Sequence, residues 1–471
     1  MIFNSLEYIA FFVIAVGGYF LFPQRFRNRW LLAASLYFYM SWSAPFILLI
    51  LYSTTIDYFV ALRLDATEKQ KTRRVLLLVS LVTNFGALFL FKYYNFFVDS
   101  WGAFMGGTRA GWNPPLLHLI LPLGISFYTF EAISYTLDVY WRRFPAERSY
   151  PRLLLFIMFF PKLIAGPIER AGHLIPQFDR RTEFDYLRAR DGLAQILWGM
   201  FKKVVIADRL AIYVDAVYNN PQHHVGSTLL LATLFFSFQV YCDFSGYSDI
   251  AIGTARILGI DLLRNFRRPY FASSFTDFWA RWHISLSTWF RDYLYVPLGG
   301  NRRGEWRRDF NVFMVFLVSG IWHGANWTFV WWGLFHGVLV SAENIGGRYL
   351  RRARPGFALP RPVRVGGTFA MIVLTWVLFR ANSLADARHV YAQILFNFDA
   401  SRFFVNASNI VYGVLGILVL VAGESLTERG LYPRIWTPEL RPVRWGAYVG
   451  LVTLILMIGV FTGGEFIYFQ F

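Results

Sequence analysis

His323 stands between two apolar stretches of the chain, flanked by Gly320, Trp322 and Gly324. An ionisable side chain at the centre of a membrane helix costs about 2.5–3.5 kcal/mol on insertion scales, so one retained there is a functional candidate by default. An imidazole accepts a proton near neutral pH, and burial keeps the ring neutral and able to act as a general base. Small glycines beside it let a substrate approach the backbone closely. The same residues also fit a structural histidine hydrogen-bonded between helices. His283 is the second candidate, within Phe278-Trp-Ala-Arg-Trp-His-Ile-Ser-Leu-Ser-Thr-Trp289. The spacing predicts Trp279 and His283 on one helical face, with Arg281 and Asp292 pointing elsewhere. Its competing reading is an interfacial anchor, because tryptophans beside arginines gather at the membrane surface.

The remaining polar residues offer less chemistry. Asp243 and Asp249 do not share a helical face, and Asp243-Phe-Ser-Gly reads as a turn or cap, so a structural or cavity-lining role is expected for both. His223-His224 have no cysteine or carboxylate at metal-ligand spacing, and no metal site is expected. The lone Cys242 excludes an internal disulfide framework and a thiolate zinc cluster. The chain carries no phosphate-binding glycine loop, no G-x-S-x-G elbow and no H-E-x-x-H.

These residues must be positioned by a membrane protein. Apolar residues make up 56% of the 471 and charged ones only 16%, with a mean hydropathy of +0.40. That is too apolar for a disordered or nucleic-acid-coating chain. The net charge of +17 then belongs to cytoplasmic loops, where Lys and Arg are retained. Leu6 to Phe22 has no basic region before it and reads as a first span rather than a signal peptide.

The basic clusters also give the topology. Arg25, Arg27 and Arg29 form one, and Arg63 to Arg74 the next, so Trp30 to Leu62 between them is predicted to be a hairpin turning at Pro45. Val75 to Val98 is expected to cross to a loop holding Arg109, and Leu116 to Val139 to return. Leu153 to Ile168 is short, contains Pro161, Lys162 and Gly166-Pro167, and lies between basic loops, so it is expected to be re-entrant. Non-helical backbone at membrane depth must be buried by protein or line a cavity. Gly192 to Val217 and Thr228 to Ala255 form the next pair of crossings. Phe271 to Gly300 is a second re-entrant or surface-lying candidate, and Asn311 to Glu343 is predicted to be a pair of helices, each of about 15 residues. Spans near 366–380, 410–426 and 445–462 bring the count to about 11–12 helices. No internal repeat is visible, and the chain reads as a single all-α polytopic domain over residues 1–471, its motifs concentrated at about 120–345.

The motifs carry a resemblance. Leu121-Pro-Leu-Gly-Ile-Ser-Phe-Tyr-Thr-Phe-Glu131, Phe160-Pro-Lys-Leu-Ile-Ala-Gly-Pro167, Asp243-Phe-Ser-Gly-Tyr-Ser-Asp-Ile-Ala-Ile-Gly253, the Phe278–Trp289 run, Arg291-Asp-Tyr-Leu-Tyr295, Leu298-Gly-Gly-Asn-Arg302, Trp322-His-Gly324 and the ending Phe466–Phe471 resemble the membrane-bound O-acyltransferase (MBOAT) family. The likeness is to its bacterial branch of alginate O-acetyltransferases and teichoic-acid D-alanyl-transfer proteins. It implies a ring of membrane helices around a thin centre, where a cytoplasmic acyl thioester meets an extracytoplasmic acceptor. The family's invariant histidine falls on His323 and the branch's second histidine on His283, which makes both catalytic candidates. Asn326 and Ser319 are candidates to stabilise an oxyanion.

The resemblance further implies acetyl-CoA as acyl donor with no bound cofactor, a periplasmic partner protein that receives the acyl group, a polysaccharide as final acceptor, and the bacterial inner membrane as location. The alternatives are a carrier-protein thioester as donor of an acyl or D-alanyl group, and a non-catalytic scaffold or transporter of an exopolysaccharide system. Arg264, Arg267, Arg268, Arg302 and Arg303 form a basic rim suited to CoA phosphates or an acidic carrier, although cytoplasmic loops retain arginines for topology alone.

Overall fold

A computed structural model describes residues 3–105, 114–353, 359–399, 403, 407–431, 441–461 and 466. Arg109 and the ending beyond Phe466 lie outside these. All regular structure among the described residues is helical, as expected for a polytopic α-helical membrane protein. The chain divides into two compact units, Met1–Gly192 with Thr254–Leu263, and Leu193–Gly253 with Arg264–Phe471.

The first unit opens with α1 (Leu6–Leu21), α2 (Gln24–Met40), α3 (Ile47–Ala66) and α4 (Gln70–Leu88). Ser5 caps α1 by accepting the Tyr8 N–H at 3.1 Å, and Pro23 restarts the chain as α2. The α2–α3 hairpin turns around Pro45 as predicted. A π-helical turn, Phe89–Tyr93, carries α4 into α5 (Tyr94–Phe104) without a break. The remaining elements are α6 (Ile125–Tyr140), α7 (Tyr150–Met158), α8 (Ala171–Leu174) and the start of α9 (Tyr186–Met200).

Two segments here bear on the sequence reading. The crossing expected from Leu116 is helical only from Ile125, because Gly124 takes a left-handed backbone with φ +73°. A side chain there would also strike the Leu163 carbonyl, at 2.7 Å from the added Cβ. The segment read as re-entrant does leave the helix: α7 stops at Met158 and the chain turns through Phe159–Gly166. Residues 153–169 are all buried, and the Lys162 ammonium pairs with Glu131, whose other oxygen accepts the Glu169 N–H at 3.0 Å. Protein, not lipid, therefore receives this irregular backbone.

In the second unit α9 passes through a π-helical turn, Phe201–Ala207, into α10 (Asp208–Tyr218), and α11 (Gly226–Ile257) follows. The expected turn at Asp243-Phe-Ser-Gly does not occur: α11 runs through it unbroken. Gly246 serves helix contact instead, since an added Cβ would lie 2.8 Å from the Gly199 carbonyl oxygen. The π-helical turn buries two lysines. Lys203 Nζ bridges Asp208 at 2.8 Å and Asp243 at 2.7 Å, while Lys202 pairs with Asp249 and donates to Ser245 at 3.0 Å. Both aspartates thus have the structural role expected of them.

Short α12 (Phe275–Trp279) and α13 (Ile284–Phe290) lead to α14 (Gly304–His323), α15 (Trp327–Ala353), α16 (Arg361–Arg380), α17 (Leu384–Phe396), α18 (Ala407–Glu428) and α19 (Arg441–Ile458). The predicted helix pair is α14 and α15, with 20 and 27 residues rather than about 15 each. The excess arises because the basic turns flanking the apolar block are helical as well. Among the described residues six helices are long and apolar enough to cross a membrane: α3, the continuous Gln70–Phe104 helix, α11, α16, α18 and α19. The larger expected count included shorter or more polar helices such as α1 and the α14–α15 pair.

Candidate active site

The α14–α15 hairpin is what places His323. Its two helices touch backbone to backbone: a Cβ added at Gly320 would lie 2.4 Å from the Phe329 carbonyl oxygen, and one added at Gly333 2.4 Å from that of Phe316. Glycine alone permits this approach, and it brings Trp332 against the His323 ring at 4.9 Å between centroids. Trp322, at 5.0 Å, and Phe379, at 5.6 Å, form the other walls. His323 is the last residue of α14 and is buried.

Its tautomer follows from one hydrogen bond. Nδ1 lies 2.6 Å from the Ser319 carbonyl oxygen. A carbonyl only accepts, so Nδ1 carries the proton and the lone pair of the neutral ring sits on Nε2. Ser319 thus holds the ring by its backbone, and a lone pair on a neutral imidazole nitrogen is what a general base requires.

His283 is also buried, its ring edge-on to Phe244 at 4.6 Å and 6.3 Å from Trp322. Trp322 therefore contacts both candidate imidazoles. The prediction that Trp279 and His283 share a helical face is corrected here. Helix α12 ends at Trp279, and His283 takes a left-handed backbone, φ +43° and ψ +54°, before α13 begins. For a residue with a Cβ that region costs about 1–3 kcal/mol and persists only where surroundings impose it. Trp279 turns instead to a third histidine, His336.

His336 was not singled out from the sequence, although a lone imidazole on the apolar stretch after Trp331-Trp332 meets the same criterion of cost that marked His323. It is fully buried. Trp279 Nε1 donates to its Nδ1 at 3.3 Å, its Nε2 donates to Thr375 Oγ1 at 3.1 Å, and Thr375 passes its own proton to the Ile372 carbonyl at 2.7 Å. Both ring nitrogens are thus engaged, and His336 reads as structural. Trp332 packs between it and His323, at 4.8 and 4.9 Å.

The other candidates spread out. Asn326 caps the start of α15, accepting the Thr328 N–H at 3.0 Å, and gives its amide proton to the Asn382 carbonyl at 3.1 Å. Arg268, Arg281 and Arg361 converge on Glu428, at 2.7, 3.3 and 2.9 Å. Arg264 and Arg267 lie exposed on the approach to that cluster, and Arg302 lies exposed on the turn before α14. Among the described residues no group of three or more His, Cys, Asp or Glu side chains is placed to hold a metal.

Residues 142–383 match the family described as MBOAT, membrane-bound O-acyltransferase. The chain is 37% identical to the probable alginate O-acetylase AlgI of Pseudomonas putida, over the full length of both. It is 37% identical to the peptidoglycan O-acetyltransferase of Helicobacter pylori, over 83% of this chain and 79% of that one. With the teichoic acid D-alanyltransferase of Bacillus subtilis the identity is 31%, over 49% of this chain and 61% of the relative.

Proposed function

This chain belongs to the membrane-bound O-acyltransferase family, and from that premise we propose that it takes acetyl from cytoplasmic acetyl-CoA and passes it across a bacterial inner membrane for O-acetylation of an extracellular polysaccharide. A periplasmic partner protein receives the acetyl group on its way to the polymer. His323 is the general base. The observation that carries this reading is the Nδ1 bond to the Ser319 carbonyl, which leaves Nε2 as the basic nitrogen.

In the reaction, Nε2 of His323 takes the proton of the acceptor hydroxyl as its oxygen attacks the thioester carbonyl. The C–S bond then breaks, the ester forms, and the departing thiolate takes up a proton, so that an alcohol and a thioester become an ester and a thiol. His283, across Trp322, is the second imidazole of the site. The basic residues Arg264, Arg267 and Arg268 favour an anionic donor. Full-length likeness to an O-acetylase, against half-length likeness to a D-alanyltransferase, supports acetyl over D-alanyl.

The test uses protein reconstituted in liposomes with radiolabelled acetyl-CoA outside. Thioester cleavage and label transfer are compared for wild type, His323→Ala and His283→Ala. Loss of both in a folded His323→Ala protein is expected, and full activity there would remove the assignment.

A further inference from the structure

Asn265 is fully buried on the segment that leads to α12. Its backbone carbonyl accepts the Ile284 N–H at 2.8 Å, and the Arg267 N–H donates to the Arg281 carbonyl at 2.9 Å. These two bonds bracket Trp282 and His283 between antiparallel stretches of chain. The Asn265 side chain repeats the grip one residue further on. Its Oδ1 accepts the Ser285 hydroxyl at 2.6 Å, and its Nδ2 donates to Ser248 Oγ at 3.1 Å. Ser248 follows Phe244 by one turn on the same face of α11, and Phe244 is the ring set against the His283 edge.

One residue thus ties the chain on the C-terminal side of His283 to the helix that walls its imidazole. An amide suits the task because it accepts and donates at once and adds no charge beside the ring. A left-handed backbone at a residue with a Cβ needs such over-determination.

We propose that Asn265 is a positioning residue for His283, holding its backbone in the left-handed region so that the ring faces Trp322. The proposal rests on the reading of His283 as part of the acyl-transfer site. Asn265 touches no reacting atom and acts only through His283.

The full-length protein in the liposome assay, with radiolabelled acetyl-CoA, tests it. Displacing a reacting group by about 1 Å costs about 100-fold, so Asn265→Ala is expected to lower kcat by roughly 10- to 100-fold with KM for acetyl-CoA nearly unchanged. Ser285→Ala is expected to act in the same direction and less. The double variant is expected to be no slower than Asn265→Ala, because the hydrogen bond that Ser285→Ala removes is already lost with the Asn265 side chain. In a His283→Ala background Asn265→Ala is expected to leave the residual rate unchanged, where a residue that merely supports the fold would lower it again.

Wild-type kcat in Asn265→Ala, or a second loss in the His283→Ala background, overturns the proposal while leaving the acyltransferase reading intact. Wild-type transfer by His283→Ala overturns the role of His283 and this proposal with it. If Asn265→Ala does not fold, Ser285→Ala and its combination with His283→Ala decide in its place. A structure of the variant reads the same point without turnover: His283 is expected to leave the left-handed region, and an unchanged backbone there counts against the proposal.

Discussion

Three buried histidines lie in one unit, and the hydrogen bonds of His336 and His323 separate the roles of those two. His336 has one ring nitrogen accepting from Trp279 and the other donating to Thr375, whereas in His323 the Ser319 carbonyl holds Nδ1 as the protonated nitrogen. A general base contributes about 10²–10⁴-fold, so His323→Ala and His323→Gln are both expected to lower kcat by that factor, measured as thiol release from acetyl-CoA. A rate within about threefold of wild type in His323→Gln would place the base elsewhere. His323 was legible in the sequence because glycines and a tryptophan frame it in an apolar block. The engagement of His336 was not, since Trp279 and Thr375 come from other helices and no local spacing announces them. Asn326 was legible as polar and near, but its cap and its bond to Asn382 depend on the α14–α15 turn and on the chain beyond α16.

Helix α14 and helix α15 meet along glycines, and that contact decides where Trp332 and His323 sit. Gly333→Ala puts a methyl group against the Phe316 carbonyl, and overpacking of this kind costs about 1–3 kcal/mol. The expected result is a lower melting temperature of the detergent-purified protein, with lost transfer following lost fold. An unchanged melting temperature would mean that the hairpin can part there. The helix pair itself was readable as an apolar block between basic clusters, as was the turn at Pro45. The break between α12 and α13 was not, because Phe278–Trp289 has helical spacing throughout and the interruption comes from tertiary bonds to Asn265. Helix α17 also escaped, its Asp386, Arg388 and His389 interrupting the apolar pattern that marks a span.

Across the whole molecule the net charge of +17 adds a field to the pairs that Arg268, Arg281 and Arg361 make with Glu428. Arg264 and Arg267 are exposed, so changing both to Ala is expected to alter stability by less than about 0.5 kcal/mol. The same change is expected to raise KM for acetyl-CoA severalfold with kcat unchanged, and to flatten the rise of KM with ionic strength. Equal KM values at low salt would confine these residues to topology. The basic clusters made the α2–α3 hairpin and the α14–α15 pair legible. The only cysteine has a consequence of its own. Cys242 is fully buried within α11, so the protein offers alkylating reagents no accessible native thiol. Protein treated with N-ethylmaleimide and then freed of it should transfer acetyl at the untreated rate, and inhibition would reveal an opening of α11 during turnover. The same silence makes the chain a clean background for single-cysteine labels, whose reaction with membrane-impermeant maleimides would report the side of each loop directly.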